Sequence, residues 1–147
     1  MASRLTELAM AATARLTTAL GDEAVVSRCY VPEVNIESLV AAERFVKLWA
    51  PGYTDEGMAT RGEKQGGYSL EIAIYEKFVG QEEPPMEWMD ERVSWVKDRI
   101  VDLLGDPRVR LATSAYAETL TVTAYSDELY IQNVFWSNVL IVFRDTE

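Results

Sequence analysis

The chain has no histidine and a single cysteine, Cys29, among its 147 residues. Without an imidazole the usual partner that activates a serine or cysteine nucleophile is missing. One thiol excludes an intrachain disulfide, and a lone cysteine without histidine cannot form a zinc site. Cys29 lies among Val25, Val26, Tyr30 and Val31 and reads as a small core hydrophobe, whereas a reactive thiol would need a nearby base. Cationic residues are also scarce, with 14 Lys+Arg against 24 Asp+Glu and a formal net charge of −10. Arg61 and Lys64 are the nearest thing to a basic cluster, and Glu63 sits between them. Nucleic-acid targets are held by basic stripes that neutralise phosphates, so the composition argues against DNA or RNA as a bound target. Long apolar runs are missing as well. Met1–Leu20 is interrupted by Arg4, Thr6, Glu7, Arg15 and Thr17, and no stretch approaches the ~20 apolar residues of a membrane span. The expectation is a protein of an aqueous compartment, with no membrane partner.

Phosphate-binding fingerprints are absent too, since Gly57, Gly62, Gly66 and Gly67 match neither nucleotide-binding pattern. The carboxylates occur as adjacent pairs, Asp55-Glu56, Glu82-Glu83 and Asp90-Glu91. Neighbouring residues on a helix or strand point apart, so these pairs read as solvated surface rather than as acid/base couples. Asp55 and Gly57 lack the alternating oxygen ligands and distal Glu of a calcium loop. No catalytic, cofactor-binding or metal-binding residue is assigned, no cofactor is called for, and a non-enzymatic protein is expected.

What the sequence does contain is one domain's worth of chain, 48% hydrophobic and 26% charged, enough to bury a core across residues 1–147. Leu5, Leu8, Ala12, Leu16 and Ala19 recur at helical spacing over 3–20, with Ser3 placed to cap the start and Gly21 to end the helix. Residues 24–31 and 44–50 read as strands stopped by Pro32 and Pro51-Gly52, and Asn35 could cap a helical turn over 35–42. Residues 51–67 are rich in Pro, Gly and charged groups and read as a long polar loop. It is either a surface connection or a segment that orders against a neighbouring subunit, anchored by Pro51, Tyr53 and Arg61. Over 68–78, Tyr68, Leu70, Ile72, Ile74 and Phe78 alternate with Ser69, Glu71, Ala73, Tyr75 and Lys77, the pattern of a sheet covered on one side.

Met89, Val93, Val96, Ile100, Leu103 and Leu104 form one stripe of a second helix over 86–104, which Gly105-Asp106-Pro107 would stop. Trp88 and Trp95 lie on a neighbouring line and could serve either helix–sheet packing or subunit contact. Residues 118–125 and 134–143 read as the last strands, joined through Tyr125–Ile131. The final strand is apolar on both faces, with Phe135, Val139, Ile141 and Phe143 on one and Trp136, Leu140 and Val142 on the other. The order α-β-β-β-α-β-β predicts an α+β fold, a two-layer sandwich with two helices on one face of a mostly antiparallel sheet.

This order resembles that of the tail-terminator and neck (head-tail joining) proteins of long-tailed bacteriophages. The resemblance rests on the N-terminal helix, the strand into Tyr30-Val31-Pro32-Glu33, the polar segment ending near Thr60-Arg61, and the strand Tyr68-Ser69-Leu70-Glu71-Ile72. It continues through the helix ending Asp102-Leu103-Leu104 to the strand Phe135–Phe143. It implies a structural virion protein, assembled in the host cytoplasm, that forms a ring of typically six subunits. The ring would cap the tail tube protein and meet the head connector or portal-side neck protein, with DNA passing through only as cargo. Terminator and connector roles stay open, because both kinds of protein share the layout. An acidic lumen would repel phosphates rather than hold them. Pro51, Tyr53, Arg61, Lys64, Trp88, Trp95 and Trp136 are the candidate interface residues. The alternative is a small acidic binding module, of adaptor or immunity type, that masks a basic partner.

Overall fold

The computed structural model describes residues 4–29, 44–60, 63–78, 85–104, 116–123 and 134–146, and over 51–60 and 63–66 it gives the backbone path alone. Helix α1 (Arg4–Leu20) closes through a 3-10 turn (Gly21–Glu23). There Gly21 adopts φ +53°, the left-handed conformation glycine takes at little cost. The elements that follow are β1 (Val25–Arg28), β2 (Arg44–Thr60), β3 (Glu63–Lys77), α2 (Met86–Val96), a π-helical turn (Lys97–Val101), α3 (Asp102–Leu104), β4 (Tyr116–Thr123) and β5 (Val134–Thr146). The fold is α+β, as the periodicity predicts. The expected cap Ser3, the helical turn over 35–42, the Gly105-Asp106-Pro107 stop and the connection Tyr125–Ile131 lie outside the described residues.

The five strands form one sheet in the order β1-β2-β3-β5-β4. β1 runs parallel to β2, and all other pairs are antiparallel. On one face Val46, Leu48, Leu70, Ile72, Ile74, Phe135, Val139, Ile141 and Phe143 meet Leu8, Ala9, Ala12, Leu16 and Leu20 of α1 and Met89, Val96, Ile100 and Leu104 of the second helical segment. The α1 stripe is rotated slightly from the predicted one: Ala9 and Leu20 are buried, whereas Ala19 is exposed. Its small residues let the helix lie close over β1 and β2, while α2 lies against β5. Ser137 interrupts the buried row of β5, and its hydroxyl is satisfied by donating to the Thr123 carbonyl at 2.9 Å.

Two expectations are corrected. Residues 51–67 are not a loop: the β2–β3 ladder continues to Thr60↔Glu63. The turn-forming residues are absorbed by irregularities, with register shifts at Trp49/Gly52, Asp55/Met58 and Met58/Thr60. Pro51 falls in the first of these, a position where a strand tolerates a missing N–H. The second sheet face is also better shielded than the alternation over 68–78 implied. Trp49, Ala73 and Tyr75 are nearly as inaccessible as the core, with Phe45 stacked on Tyr75 at 5.4 Å and Lys47 over its ring. Cys29, expected in the core, is half-buried just past β1, where its N–H donates to the Leu48 carbonyl at 3.0 Å. Burial pushes its thiol pKa up, against a smaller opposing effect of Lys47, which suits an unreactive side chain.

Candidate functional site

Chemistry-bearing side chains gather at the end of the sheet where β2 begins and β3 ends. Glu76 continues the row Leu70–Ile72–Ile74, so alternation turns its carboxylate toward the helices, where it is 5% exposed. Two guanidinium groups meet it. Arg44 Nε donates to Oε1 at 2.9 Å, and Arg92 Nε and Nη2 both reach Oε2 at 2.9 Å. Each arginine is backed by an indole: Arg44 stacks over Trp95 at 4.1 Å and Arg92 over Trp88 at 4.2 Å. Trp88 in turn meets Phe78 and Phe135 edge-on, with centroids 5.1 and 6.4 Å away. Arg44, Glu76, Phe78, Trp88 and Arg92, with Glu23 and Lys77, surround a cleft of about 370 Å³. Its one buried carboxylate is already engaged by both cations, so the arrangement is fitted to hold elements together rather than to take a proton from a substrate.

At the rim, Glu23 pairs with Arg99. The Arg99 guanidinium holds the Glu23 carboxyl below its ordinary range; slight desolvation opposes this, and Trp95 and Arg44 assist. The Trp95 Nε1–H makes no hydrogen bond of normal geometry, so Arg99 is the principal partner of the Glu23 carboxylate. A folded-state pKa below the unfolded value stabilises the fold above the unfolded pKa, and that contribution is lost as pH falls through the folded pKa. In Arg99→Gln, an NMR titration of Glu23 is expected to move up toward the ordinary carboxylate range. An unmoved titration would assign the shift to another group.

The expected interface residues separate into groups. Trp88 and Trp95 come together through the Arg44–Glu76–Arg92 cluster and are half-buried at the helix–sheet seam. Trp136 lies on the opposite face of the sheet, in register with Tyr75. Pro51 and Tyr53 flank the middle of β2 and Lys64 lies on the distal half of β3, where Tyr53 pairs with Tyr68 and Lys64 with Met58. Arg61 is outside the described residues. Roughly 40 Å of strand separates Lys64 from Glu76, so the two ends of the hairpin are distinct sites. Sequence reading missed Glu76, Arg44 and Arg92. The available signal was a charge at a core-facing position of a clean alternation, together with an arginine four residues after Trp88 and three before Trp95 on one helix.

The second feature is an edge. β2 is 17 residues long, yet on its outer side β1 pairs only with Phe45–Leu48. From Trp49 to Thr60 the outer edge has no strand partner among the described residues. Such a row of backbone donors and acceptors is a template for another strand. No group of three or more His, Cys, Asp or Glu is placed to hold a metal among the described residues, and no described helix is long and apolar enough to cross a membrane.

The class these features define is a two-layer α+β sandwich with a long hairpin whose outer edge is unpaired among the described residues. No family model matches the chain, and no curated protein matches it. Among solved structures, a chain of "Virion of native gene transfer agent (GTA) particle" superposes over 98% of this chain and 93% of its own length, at 13% identity and a TM-score of 0.44. A likeness this distant transfers no role.

Proposed function

We propose that this chain is a structural subunit of a phage-type virion, a tail-terminator or neck protein that closes into a ring, six copies being expected. The observation that carries the reading is the outer edge of β2, which beyond Leu48 has no strand partner among the described residues and so offers backbone groups on which another chain could add. It lies on the hairpin that holds Pro51, Tyr53 and Lys64. The order of elements supports it through its resemblance to long-tailed phage neck proteins. The charge of −10 per chain gives a ring lumen whose field repels phosphate, so that DNA passes without being held. The tail tube protein on one side and a portal-side neck protein on the other are the partners this role requires.

Light scattering with negative-stain imaging tests the reading. A ring of six chains of 16.6 kDa would have a mass of about 100 kDa. A monomer that also fails to cap tail tubes would overturn the reading. Tight, salt-sensitive pairing of that monomer with a basic partner would instead identify an acidic binding module.

A further inference from the structure

The sheet has a second edge with no strand partner among the described residues. β4 is the terminal strand, paired only with β5, and no strand covers its other side among the described residues. Thr121, Val122 and Thr123 are exposed there; Val122 is 41% accessible although it shares the face of the core residue Val139. The strand carries none of the proline or lysine residues that commonly guard an edge.

We propose that neighbouring copies of this chain join edge to edge, β4 of one copy adding as an antiparallel strand to the outer edge of β2 in the next. This deepens the ring reading and rests on it. Three features of the fold lead to it. The two edges lie on opposite sides of the sheet, so joining them is heterologous and leaves every copy with one of each, the condition for a closed ring.

The strand directions also agree. β2 to β3, β3 to β5 and β5 to β4 are all antiparallel steps, so β4 runs opposite to β2. Rotation about an axis lying roughly along the strands preserves direction. The neighbour's β4 therefore arrives antiparallel to β2, the pairing that is the more stable per residue.

The lengths agree as well. Beyond β1, Pro51 and the register shifts confine regular pairing on β2 to Gly52–Asp55. On β4, the shift between Ala117 and Thr119 leaves Thr119–Thr123 as the straight run. These two short regular segments match, and irregular backbone on either side limits how far one can slide along the other. An isologous β2–β2 or β4–β4 pair would use the same hydrogen bonds but would stop at a dimer.

Disulfide trapping in the full chain tests this. In a Cys29→Ser background, Thr121→Cys is combined in turn with Gly52→Cys, Tyr53→Cys, Thr54→Cys and Asp55→Cys, with Thr123→Cys as a second probe on β4. Facing residues of an antiparallel pair have Cα atoms about 4.5–5.5 Å apart, within disulfide reach. Mild oxidation is expected to give a ladder of linked chains ending at the ring, for one or two of the combinations. Mixed single-cysteine variants are expected to give only dimers that join a β2 cysteine to a β4 cysteine. Rings of the right mass with no cross-link from either probe would overturn the edge contact while leaving the ring reading intact. Dimers linked like to like would also overturn it, replacing it with two-fold pairing. A chain that stays monomeric by light scattering, even with tail tubes present, would overturn both.

Discussion

Phe135→Ala is expected to lower stability by about 3–5 kcal/mol, the range for deleting a buried aromatic ring. Phe135 is 1% exposed and stands at the start of the core row of β5. Its loss does more than open a cavity. The ring is one of the two aromatic contacts of Trp88, whose indole backs the Arg92 guanidinium. Phe135 is also directly opposite Glu76 across the sheet. The cavity therefore forms beside the buried Glu76 carboxylate, where water entering the void weakens its pairing with both arginines. Urea denaturation should show a lower midpoint with an unchanged slope, and the melting temperature should fall by roughly 6–20 °C. Trp136→Ala removes a larger side chain from the next position, but that residue is half-buried on the opposite face, so its cost to the isolated chain should be clearly smaller. Equal losses would mean that the second face is as tightly packed as the core.

The order of elements is legible in the sequence because one-sided burial imprints a period. Leu8–Ala12–Leu16, Leu70–Ile72–Ile74 and Phe135–Val139–Ile141–Phe143 each repeat at the spacing of the element they form. What leaves no local imprint was not legible. The parallel pairing of β1 with β2 and the placement of β5 between β3 and β4 depend on which strands meet, and no single segment encodes that. The distal hairpin was hidden for a different reason. Pro51, Gly52, Gly57, Gly66 and Gly67 favour turns individually, but cross-strand pairing such as Thr54↔Gly67 and Asp55↔Gly66 overrides local preference, and bulges accommodate the rest. Five of the seven residues named as an interface lie on the hairpin or the second sheet face, or, like Arg61, outside the described residues. The other two, Trp88 and Trp95, stand against Arg92 and Arg44 at the helix–sheet seam. Glu76, which both arginines meet, was passed over because a charge in an apolar row looks like an interruption until its partners are seen beside it.

Glu76→Ala is the second large effect, and its size depends on what charge leaves behind. Removing one partner of a buried ion pair costs about 3–5 kcal/mol, because the remaining charge stays desolvated and unpaired. Here the Arg44 and Arg92 side chains are 17% and 20% exposed and Arg92 keeps its bridge to Glu91, so water and that second carboxylate can reach the charges and the expected loss falls to roughly 2–3 kcal/mol. Glu76→Gln keeps an acceptor for one of the two arginines and should lose less. The decisive comparison is the triple replacement of Arg44 and Arg92 by Met and Glu76 by Leu. If the cost of Glu76→Ala is uncompensated charge, removing all three charges abolishes it, and the triple variant should be more stable than the single one despite its three substitutions. Methionine can still contact the faces of Trp95 and Trp88, so the aromatic wall keeps a neighbour. If the triple variant is instead the less stable, the stacking of Arg44 on Trp95 and of Arg92 on Trp88 outweighs the ion pairs. The cluster would then be a pair of cation–π clasps that happen to share a carboxylate.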